Sequence, residues 1–306
     1  MIRKKLKSIY DWLSSEAPDV RRTSLLLTGK QMSWHVATLP PNVNLREVGF
    51  KVFSQWDEDG IIQYLISKLP IENETFIEFG VENYEESNTR FLLLNNHWRG
   101  MVMDARGPDV SYIRRDRIYW QYDLRAMQAW ITRENINELL RSSGFSEDLG
   151  LMSIDIDGND YWIWESIDSF RPRIMIIEYN SLFGLEPIVV PYQDRFNRTA
   201  AHYSNLYYGA SLGALQCLAK RKEYLLLGSN IWGHNAFFVR QDIAAGFQEV
   251  DLSRAYVESR FRESRDKSGN LSYLRGKERL EPIKHLPVTN VATGETRSIR
   301  DVCRCT

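Results

Sequence analysis

The most restrictive feature of the sequence is a pair of apolar runs that follow each other closely. "EYLLLGS" (223–229) and "NAFFVRQ" (235–241) both have the composition of buried strands, and only residues 230–234 separate them. A parallel crossover needs about a dozen residues or more, so these two strands must pair as an antiparallel hairpin. Whatever sheet the rest of the chain forms, it contains at least one reversed strand.

Upstream of this hairpin, strand-like runs alternate with helical ones. Strands are predicted at 75–81, 100–105, 118–124, 150–157 and 173–180, and helices at 87–97, 131–143 and 211–222. Near-continuous apolar strands separated by helices are typical of a parallel sheet that is covered on both faces. We therefore predict an α/β, doubly wound fold with a mostly parallel seven-stranded sheet and one antiparallel strand.

Composition excludes several classes of protein. The 306 residues, 43% of them hydrophobic, can bury one substantial core. A net charge of −1 lacks the basic excess that is usual for nucleic-acid binding. Three cysteines cannot form a disulfide framework, no apolar run could cross a bilayer, and the N-terminus lacks the apolar region of a signal peptide. These features predict a cytoplasmic protein with no transmembrane segment.

Three segments are predicted. They are an N-terminal helical extension (1–45), a central domain (46–245) and a charged C-terminal extension (246–306), which we interpret as a solvated appendage. The basic cluster at residues 3–7 could make weak peripheral contact with an anionic membrane, but a short helix packed on its own domain is favoured.

The turn after the first predicted strand, "EFGVENYEES", indicates which cofactor could bind. A dinucleotide site needs GxGxxG so that the backbone can approach a pyrophosphate, but this turn has one glycine, Gly80, and four carboxylates. Those carboxylates would repel a pyrophosphate. They suit a ligand that carries an ammonium and a sulfonium and no phosphate, a description that fits S-adenosylmethionine.

Acidic residues also end the next two predicted strands. Asp104 lies 24 positions after Gly80, close to the ~20-residue spacing at which an acidic side chain accepts ribose hydroxyls. Asp123, at the predicted tip of the third strand, is placed to meet the adenine edge. Open α/β sheets bind ligands at these strand tips.

Across about 55–240 the chain resembles the FkbM-type methyltransferases. The shared segments are "SQWDEDGIIQYLI", "FIEFG…ESNTRFLL", "WRGMVMDA", "LMSIDIDGNDYWIWESI" and "IIEYN". The resemblance implies the class I methyltransferase fold, S-adenosylmethionine as methyl donor and methylation of oxygen. Members often carry a second glycine where this chain has Tyr84, Glu85 and Glu86. The residues that we assign to the cofactor are Gln55, Glu78, Gly80, Ser87, Asn88, Asp104, Asp123 and Asp155.

The stretch "SIDIDGND" places further acids at the exit of a buried strand. Strand side chains alternate between faces, so Asp155 and Asp157 share one side, as do Glu178 and Asn180 on the next strand. If the two strands are neighbours ~4.8 Å apart, Asp157 and the pair on the next strand surround one small volume.

Three chemistries remain open for these acids. Asp157 or His202 could act as the base that removes a hydroxyl proton from the acceptor. Alternatively, Asp157, Glu178 and Asn180 could hold Mg²⁺, which takes oxygen ligands and acidifies a bound hydroxyl. In the third case the acids contact the ammonium of the cofactor and nothing else.

The function favoured is an S-adenosylmethionine-dependent O-methyltransferase that modifies a hydroxyl of a saccharide or glycan-related acceptor, where the acceptor class follows from the resemblance alone. The first alternative is a non-catalytic or scaffolding relative of the same fold. The second is a sugar-nucleotide-dependent glycosyltransferase, because "DID" resembles a DxD metal motif; it is less favoured, since no basic cradle for a diphosphate accompanies it.

Overall fold

The computed structural model describes residues 2–260 and 263–303, with side chains from residue 20 onward. The helices are α1 (Ile2–Thr38), α2 (Leu45–Val48), α3 (Glu58–Lys68), α4 (Arg90–Asn96), α5 (Gly107–Ile113), α6 (Ile118–Gln121), α7 (Ile136–Ser142), α8 (Asp160–Ser166), α9 (Arg198–Ala201), α10 (Leu212–Arg221), α11 (Leu252–Ala255) and α12 (Ile299–Val302). The strands are β1 (Thr75–Phe79), β2 (Arg99–Asp104), β3 (Leu124–Gln128), β4 (Leu151–Ile154), β5 (Ile174–Glu178), β6 (Ile188–Val189), β7 (Tyr224–Ser229), β8 (Asn235–Arg240), β9 (Pro287–Asn290) and β10 (Thr296–Ser298).

Seven of these strands form the main sheet, in the order β3-β2-β1-β4-β5-β8-β7. Strands β1 to β5 pair in parallel, whereas β8 is antiparallel to both of its neighbours, β5 and β7. The predicted fold class and the predicted hairpin are therefore confirmed. The reversed strand lies one position inside the sheet edge, and the order of strands reverses between β1 and β4.

Both faces of the sheet are buried, which is why its strands read as continuous apolar runs. Along β1, Phe76 packs into one hydrophobic core while Ile77 packs into the other, on the opposite face. Every residue of β5 is buried. A sheet covered on both faces presents its functional side chains at the strand ends, where the chain leaves the core.

The predicted third strand is wrong in position. Residues 118–121 form α6, and β3 begins only at Leu124. The Oδ1 atom of Asp116 accepts a hydrogen bond from the backbone N–H of Ile118, which favours a helical turn over an extended start. The register then pairs Leu124 with Gly100, so that Asp123 precedes the strand at the amino edge of the sheet.

The C-terminal extension is not a solvated appendage. Strands β9 and β10 join β6 of the central domain in a second, three-stranded sheet. Ile283, Val288 and Ile299 are fully or almost fully buried, and they pack in a third core with Phe183 and Ile188. The segment was predicted to be solvated because its many charged residues outnumber these few buried apolar ones.

The N-terminal extension is a helix much longer than predicted. Of its 37 residues, the C-terminal part packs on the central domain, where Val36 is buried and Gly29 lies close to Val52 and Phe91. The side chains of the basic cluster at residues 3–7 lie outside the described part of the chain. Across residues 2–260 and 263–303, no helix is both long and apolar enough for a bilayer crossing.

Candidate functional site

A cavity of about 580 Å³ lies at the carboxyl ends of the main-sheet strands, where the strand order reverses between β1 and β4. Open α/β sheets bind ligands at this position. The β1–β3 half of the cavity is lined by Gln55, Glu78, Gly80, Glu82, Ser87, Asn88, Asp104, Trp130 and Ile131. The β4–β8 half is lined by Asp155, Asp157, Glu178, Arg198, Asn205, His234, Asn235 and Glu263.

The turn after β1 packs directly against the backbone that follows β4. Gly80 has a φ of +75°, and a Cβ at this position would lie 1.5 Å from the carbonyl oxygen of Asp155. Glu82 and Tyr84 also take positive φ values, +46° and +64°. The turn therefore folds without a second glycine, and it does so at a conformational cost of roughly 1–3 kcal/mol for each such residue.

Glu78 organises the start of α4. Its carboxylate accepts hydrogen bonds from the backbone N–H groups of Asn88 (2.8 Å) and Thr89 (3.0 Å). Burial raises the pKa of Glu78 to about 7. The amide of Asn88 in turn donates to Ser153 on β4, at 3.0 Å. Glu78 and Asn88, which are both predicted to bind the cofactor, line the cavity, and their hydrogen bonds hold its wall together.

Asp104 ends β2 and lines the cavity, as its spacing from Gly80 predicts. Its Oδ2 accepts a hydrogen bond from the N–H of Glu82, and its Oδ1 accepts one from the N–H of Arg106, both at 2.8 Å. Burial raises its pKa above the ordinary value. Each carboxylate oxygen retains a second lone pair that can accept a hydrogen bond from a ligand.

The residues that follow β3 complete this half of the cavity. Trp130 and Ile131 form an apolar wall, and the indole N–H of Trp130 donates to the carbonyl of Asp194 at 2.7 Å. Neither residue was predicted as part of the site, because the third strand was predicted at 118–124, before its actual position. Asp123, predicted for this position, lies at the opposite edge of the sheet and is ion-paired with Arg99 at 2.6 Å.

Three carboxylates meet in the β4–β8 half. Asp155, Asp157 and Glu178 each offer an oxygen, and these oxygens lie within 4.8 Å of one another. Burial raises the pKa of Asp155 and of Glu178 well above their ordinary values, with a further rise from the neighbouring carboxylates. The predicted proximity of Asp157 and Glu178 is therefore confirmed, and Asp155 joins them.

Arg198, at the start of α9, is the cation of this cluster. Its Nη1 donates to Asp157 at 2.9 Å, and its Nε donates to the carbonyl of Asn205 at 2.7 Å. Its guanidinium carbon lies 3.8 Å from the centre of the Tyr208 ring. Burial alone would lower the pKa of Arg198, but Tyr208 and the carboxylates hold it above the ordinary value. No pattern in the sequence points to Arg198 as a site residue.

Three buried oxygen atoms of the same half have no hydrogen-bond partner within the described part of the chain: Glu178 Oε2, Asn205 Oδ1 and Asn235 Oδ1. The amide nitrogens of the two asparagines donate to Glu263 (3.3 Å) and Glu58 (2.9 Å), which orients their oxygens away from those carboxylates. All three atoms can accept hydrogen bonds, and leaving them unsatisfied costs about 1–3 kcal/mol each. This half therefore suits a ligand that carries several hydrogen-bond donors.

His234 lines the cavity, although the sequence analysis treated it as structural. Its Nδ1 lies 3.9 Å from Glu178 Oε1, and its Nε2 lies 3.1 Å from the Ser259 hydroxyl. The ring stacks on Trp56 at a centroid distance of 6.0 Å. Burial lowers the pKa of His234 to about 4, so the imidazole is neutral near pH 7.

Besides Asp123, two predicted site residues do not reach the cavity. His202 ends α9 and bonds with the Ser204 hydroxyl at 2.7 Å, outside the cavity lining. Asn180 is buried; its amide nitrogen donates to the carbonyls of Leu206 and Tyr208, and its Oδ1 accepts from the N–H of Leu182. The backbone conformation after β5 turns Asn180 into the protein, so strand alternation does not extend to it.

The predicted magnesium site does not fit these residues. Asn180 does not line the cavity, and its Oδ1 caps the turn at 181–183. Arg198 already binds Asp157, so a cation occupies one face of the carboxylate cluster. A metal ion would need Asp155 in place of Asn180 as its third ligand, and Arg198 would have to release Asp157.

The strand order, with a reversed strand between β5 and β7, defines the class I methyltransferase fold. No protein-family model matches the sequence, and a search of curated proteins gives no match either.

Solved structures with a similar fold include three methyltransferases. An S-adenosylmethionine-dependent methyltransferase from Clostridium acetobutylicum matches with a TM-score of 0.39 and 10% identity, over 60% of this chain and 89% of its own. A putative RNA methyltransferase from Pyrococcus horikoshii matches with a TM-score of 0.35 and 8% identity, over 70% and 96%. The CurJ carbon methyltransferase matches with a TM-score of 0.36 and 11% identity, over 60% of this chain and only 52% of its own. These similarities assign no activity, and the fold assignment rests on the strand order of this chain.

Proposed function

We propose that this protein is an S-adenosylmethionine-dependent O-methyltransferase of the FkbM type, with a hydroxyl of a saccharide or glycan-related molecule as its acceptor. The observation that carries this proposal is a set of three hydrogen-bond-accepting oxygens in the β4–β8 half of the cavity, on Glu178, Asn205 and Asn235, that have no partner among the described residues. A ligand with several hydroxyl groups would satisfy all three oxygens at once.

The β1–β3 half is the proposed cofactor site. Asp104 has lone pairs for ribose hydroxyls, and Trp130 and Ile131 offer an apolar wall for an adenine ring. The carboxylates along the turn after β1 complement a cationic ligand. When bound there, the methyl donor supplies an electrophilic methyl group on a sulfonium.

Glu178 is the proposed proton acceptor for the acceptor hydroxyl. Its Oε2 is buried and has no hydrogen-bond partner in the described residues, whereas Asp157 is ion-paired with Arg198. A base is most effective when its pKa lies near the working pH, and burial raises the pKa of Glu178 towards that range. Asn235, on the neighbouring strand, would accept a second hydrogen bond and align the acceptor, which supplies much of the acceleration of a displacement reaction.

Two measurements test this proposal in sequence. Isothermal titration calorimetry with S-adenosylhomocysteine should give one binding site with micromolar affinity. A protein that releases no heat at millimolar ligand would instead be a non-catalytic relative of the fold. Incubation with S-adenosylmethionine and a panel of mono- and oligosaccharides, followed by mass spectrometry, should show the addition of one methyl group. Methylation confined to amines or to carbon would contradict the assignment to oxygen.

A further inference from the structure

The carboxylate cluster of Asp155, Asp157 and Glu178 has the composition of a divalent-cation site. Hard cations such as Mg²⁺ and Mn²⁺ prefer carboxylate oxygens, and the three oxygens here lie within 4.8 Å of one another. One of these residues, Glu178, also keeps a buried oxygen that has no partner among the described residues. Three carboxylates this close together repel one another unless protons or a nearby cation neutralise their charge.

We propose that the Arg198 guanidinium takes the place of a divalent cation in this cluster, and that the native site is therefore closed to metal ions. The direct contact is the hydrogen-bonded ion pair between Arg198 Nη1 and Asp157 Oδ1, at 2.9 Å. Among the described residues, Arg198 is the cation that binds a cluster carboxylate, and its charge cannot be removed by deprotonation in the physiological pH range.

Contacts outside the cluster hold Arg198 in this position. Its Nε donates to the Asn205 carbonyl at 2.7 Å, and its guanidinium stacks over Tyr208 at 3.8 Å. The backbone at Arg198 is fixed as well, because the Oδ1 of Asn197 caps α9 by accepting the N–H of Ala200 at 2.9 Å. The arginine side chain is only 15% exposed. A metal ion would have to displace a side chain that is held by Asp157, by the Asn205 carbonyl and by the Tyr208 ring.

The reverse change should create a metal site. Without the guanidinium, three carboxylates would remain together in a partly buried cavity, and no other cation from residues 2–260 and 263–303 pairs with Asp157. Uncompensated charges of this kind are costly, and a divalent cation from solution would relieve that cost. The proposal does not require methyl transfer, so it stands or falls separately from the proposed function.

The test measures Mn²⁺ binding to the full chain by calorimetry and by the electron paramagnetic resonance signal of free Mn²⁺. Arg198→Met keeps an apolar stem against Tyr208 and removes the charge; Arg198→Ala removes both. We expect no binding to the wild-type protein at millimolar Mn²⁺ and one site in Arg198→Met, with affinity increased at least tenfold. The double variant Arg198→Met/Asp157→Asn should lose that site again, and Arg198→Lys, which keeps a cation, should not gain it.

Two results would overturn the proposal. The first is a single Mn²⁺ site in the wild-type protein that is lost in Asp157→Asn, because Arg198 would then not exclude metal. The second is failure of both Arg198→Met and Arg198→Ala to bind Mn²⁺ while circular dichroism shows the wild-type fold, because the cluster would then not be a latent metal site. If Arg198→Ala alone unfolds, Arg198→Met decides the outcome.

Discussion

At the residue scale, the carboxylates at the strand ends differ in what they already bind. Both oxygens of Asp104 accept hydrogen bonds from backbone N–H groups, and Asp157 accepts one from a guanidinium. Glu178 keeps a buried oxygen that has no partner within the described part of the chain. Residues of one chemical type therefore have different capacities for a ligand. This difference is the basis for assigning ribose binding to Asp104 and proton transfer to Glu178.

Glu178→Gln should lower turnover by roughly 10²–10⁴, the usual effect of removing a positioned base. The substitution keeps the shape of the side chain, so affinity for S-adenosylhomocysteine should remain within about threefold. The measurements are steady-state kinetics on the identified acceptor and calorimetry. Asp157→Asn is the matched control, since it changes a carboxylate that already binds Arg198, and it should cost less. A greater loss of turnover in Asp157→Asn than in Glu178→Gln would indicate that Asp157 is the base.

Asp104→Ala should weaken binding of S-adenosylhomocysteine about ten- to hundredfold. Hydrogen bonds to a charged group contribute about 1.5–3 kcal/mol each, and the variant also releases the N–H groups of Glu82 and Arg106. Asp123→Ala is the matched control, because that aspartate lies at the opposite sheet edge, where it is ion-paired with the exposed Arg99. If calorimetry gives the two variants equal affinity for S-adenosylhomocysteine, Asp104 does not bind the cofactor.

At the scale of elements, the site depends on the contact between the turn after β1 and the turn after β4. Gly80 lies against the backbone of Asp155, and the Asp160 carboxylate closes the β4 turn by accepting the N–H groups of Ile156 (2.8 Å) and Gly158 (2.9 Å). Asp157, with a φ of +57°, lies inside this loop. The position of the carboxylate cluster is thus set by two turns that fit together.

Gly80→Ala should therefore lower both stability and ligand affinity. The added Cβ would lie 1.5 Å from the Asp155 carbonyl oxygen, so the two turns must separate. Gly294→Ala is the control, because Gly294 has the same φ of +75° and no atom within 4 Å of the added Cβ. Urea denaturation should show a loss of about 1 kcal/mol for the control from backbone strain and at least twice that for Gly80→Ala. Similar losses in the two variants would mean that the turns do not need their close contact.

At the scale of the whole molecule, buried ionisable groups make stability depend on pH. Burial raises the pKa of Glu78 to about 7 and those of Asp57, Asp59 and Asp160 to about 6. Their folded-state pKa values lie above the unfolded ones, so their contribution is fully present below the unfolded values and is lost as pH rises through about 6 to 7. His234, with its pKa lowered to about 4, acts in the opposite sense, and its contribution is lost as pH falls below its unfolded value.

The ligand-free protein should consequently unfold more easily at pH 8 than at pH 6. The unfolded pKa of His234 is 6.5, so at pH 6 this histidine has lost on the order of 1 kcal/mol of its contribution, whereas at pH 8 it contributes fully. The four carboxyl groups together lose more than this between pH 6 and pH 8, so they decide the sign. The expected loss in the free energy of unfolding is on the order of 2 kcal/mol, measured by urea denaturation. Glu78→Gln should show a shallower dependence on pH, because it removes the group with the highest of these four pKa values. Equal or greater stability at pH 8 would contradict the burial of these charges.

The class of the fold and the β1–β3 half of the site could be predicted from the sequence, because both depend on local patterns. Continuous apolar runs indicate strands that are buried on both faces of a sheet. The five-residue link at 230–234 is too short for a parallel crossover, so its two strands must form a hairpin. Gly80 and Asp104 follow strands directly, so their places at the strand ends are set by chain connectivity. The third strand was misplaced because an apolar run of seven residues does not distinguish a short helix from a strand.

The β4–β8 half was decided by the tertiary structure. Asp157 and Arg198 are 41 positions apart, and Asn205, His234 and Asn235 reach the cavity from loops and from the reversed strand. No periodicity in the sequence links such positions, because their contacts arise from how loops pack over the sheet. Strand alternation predicted Asn180 at the site, but the turn after β5 directs it inward. The sequence thus determined the strands of the main sheet, apart from the position of β3, whereas packing between distant segments determined which charges meet and what neutralises them.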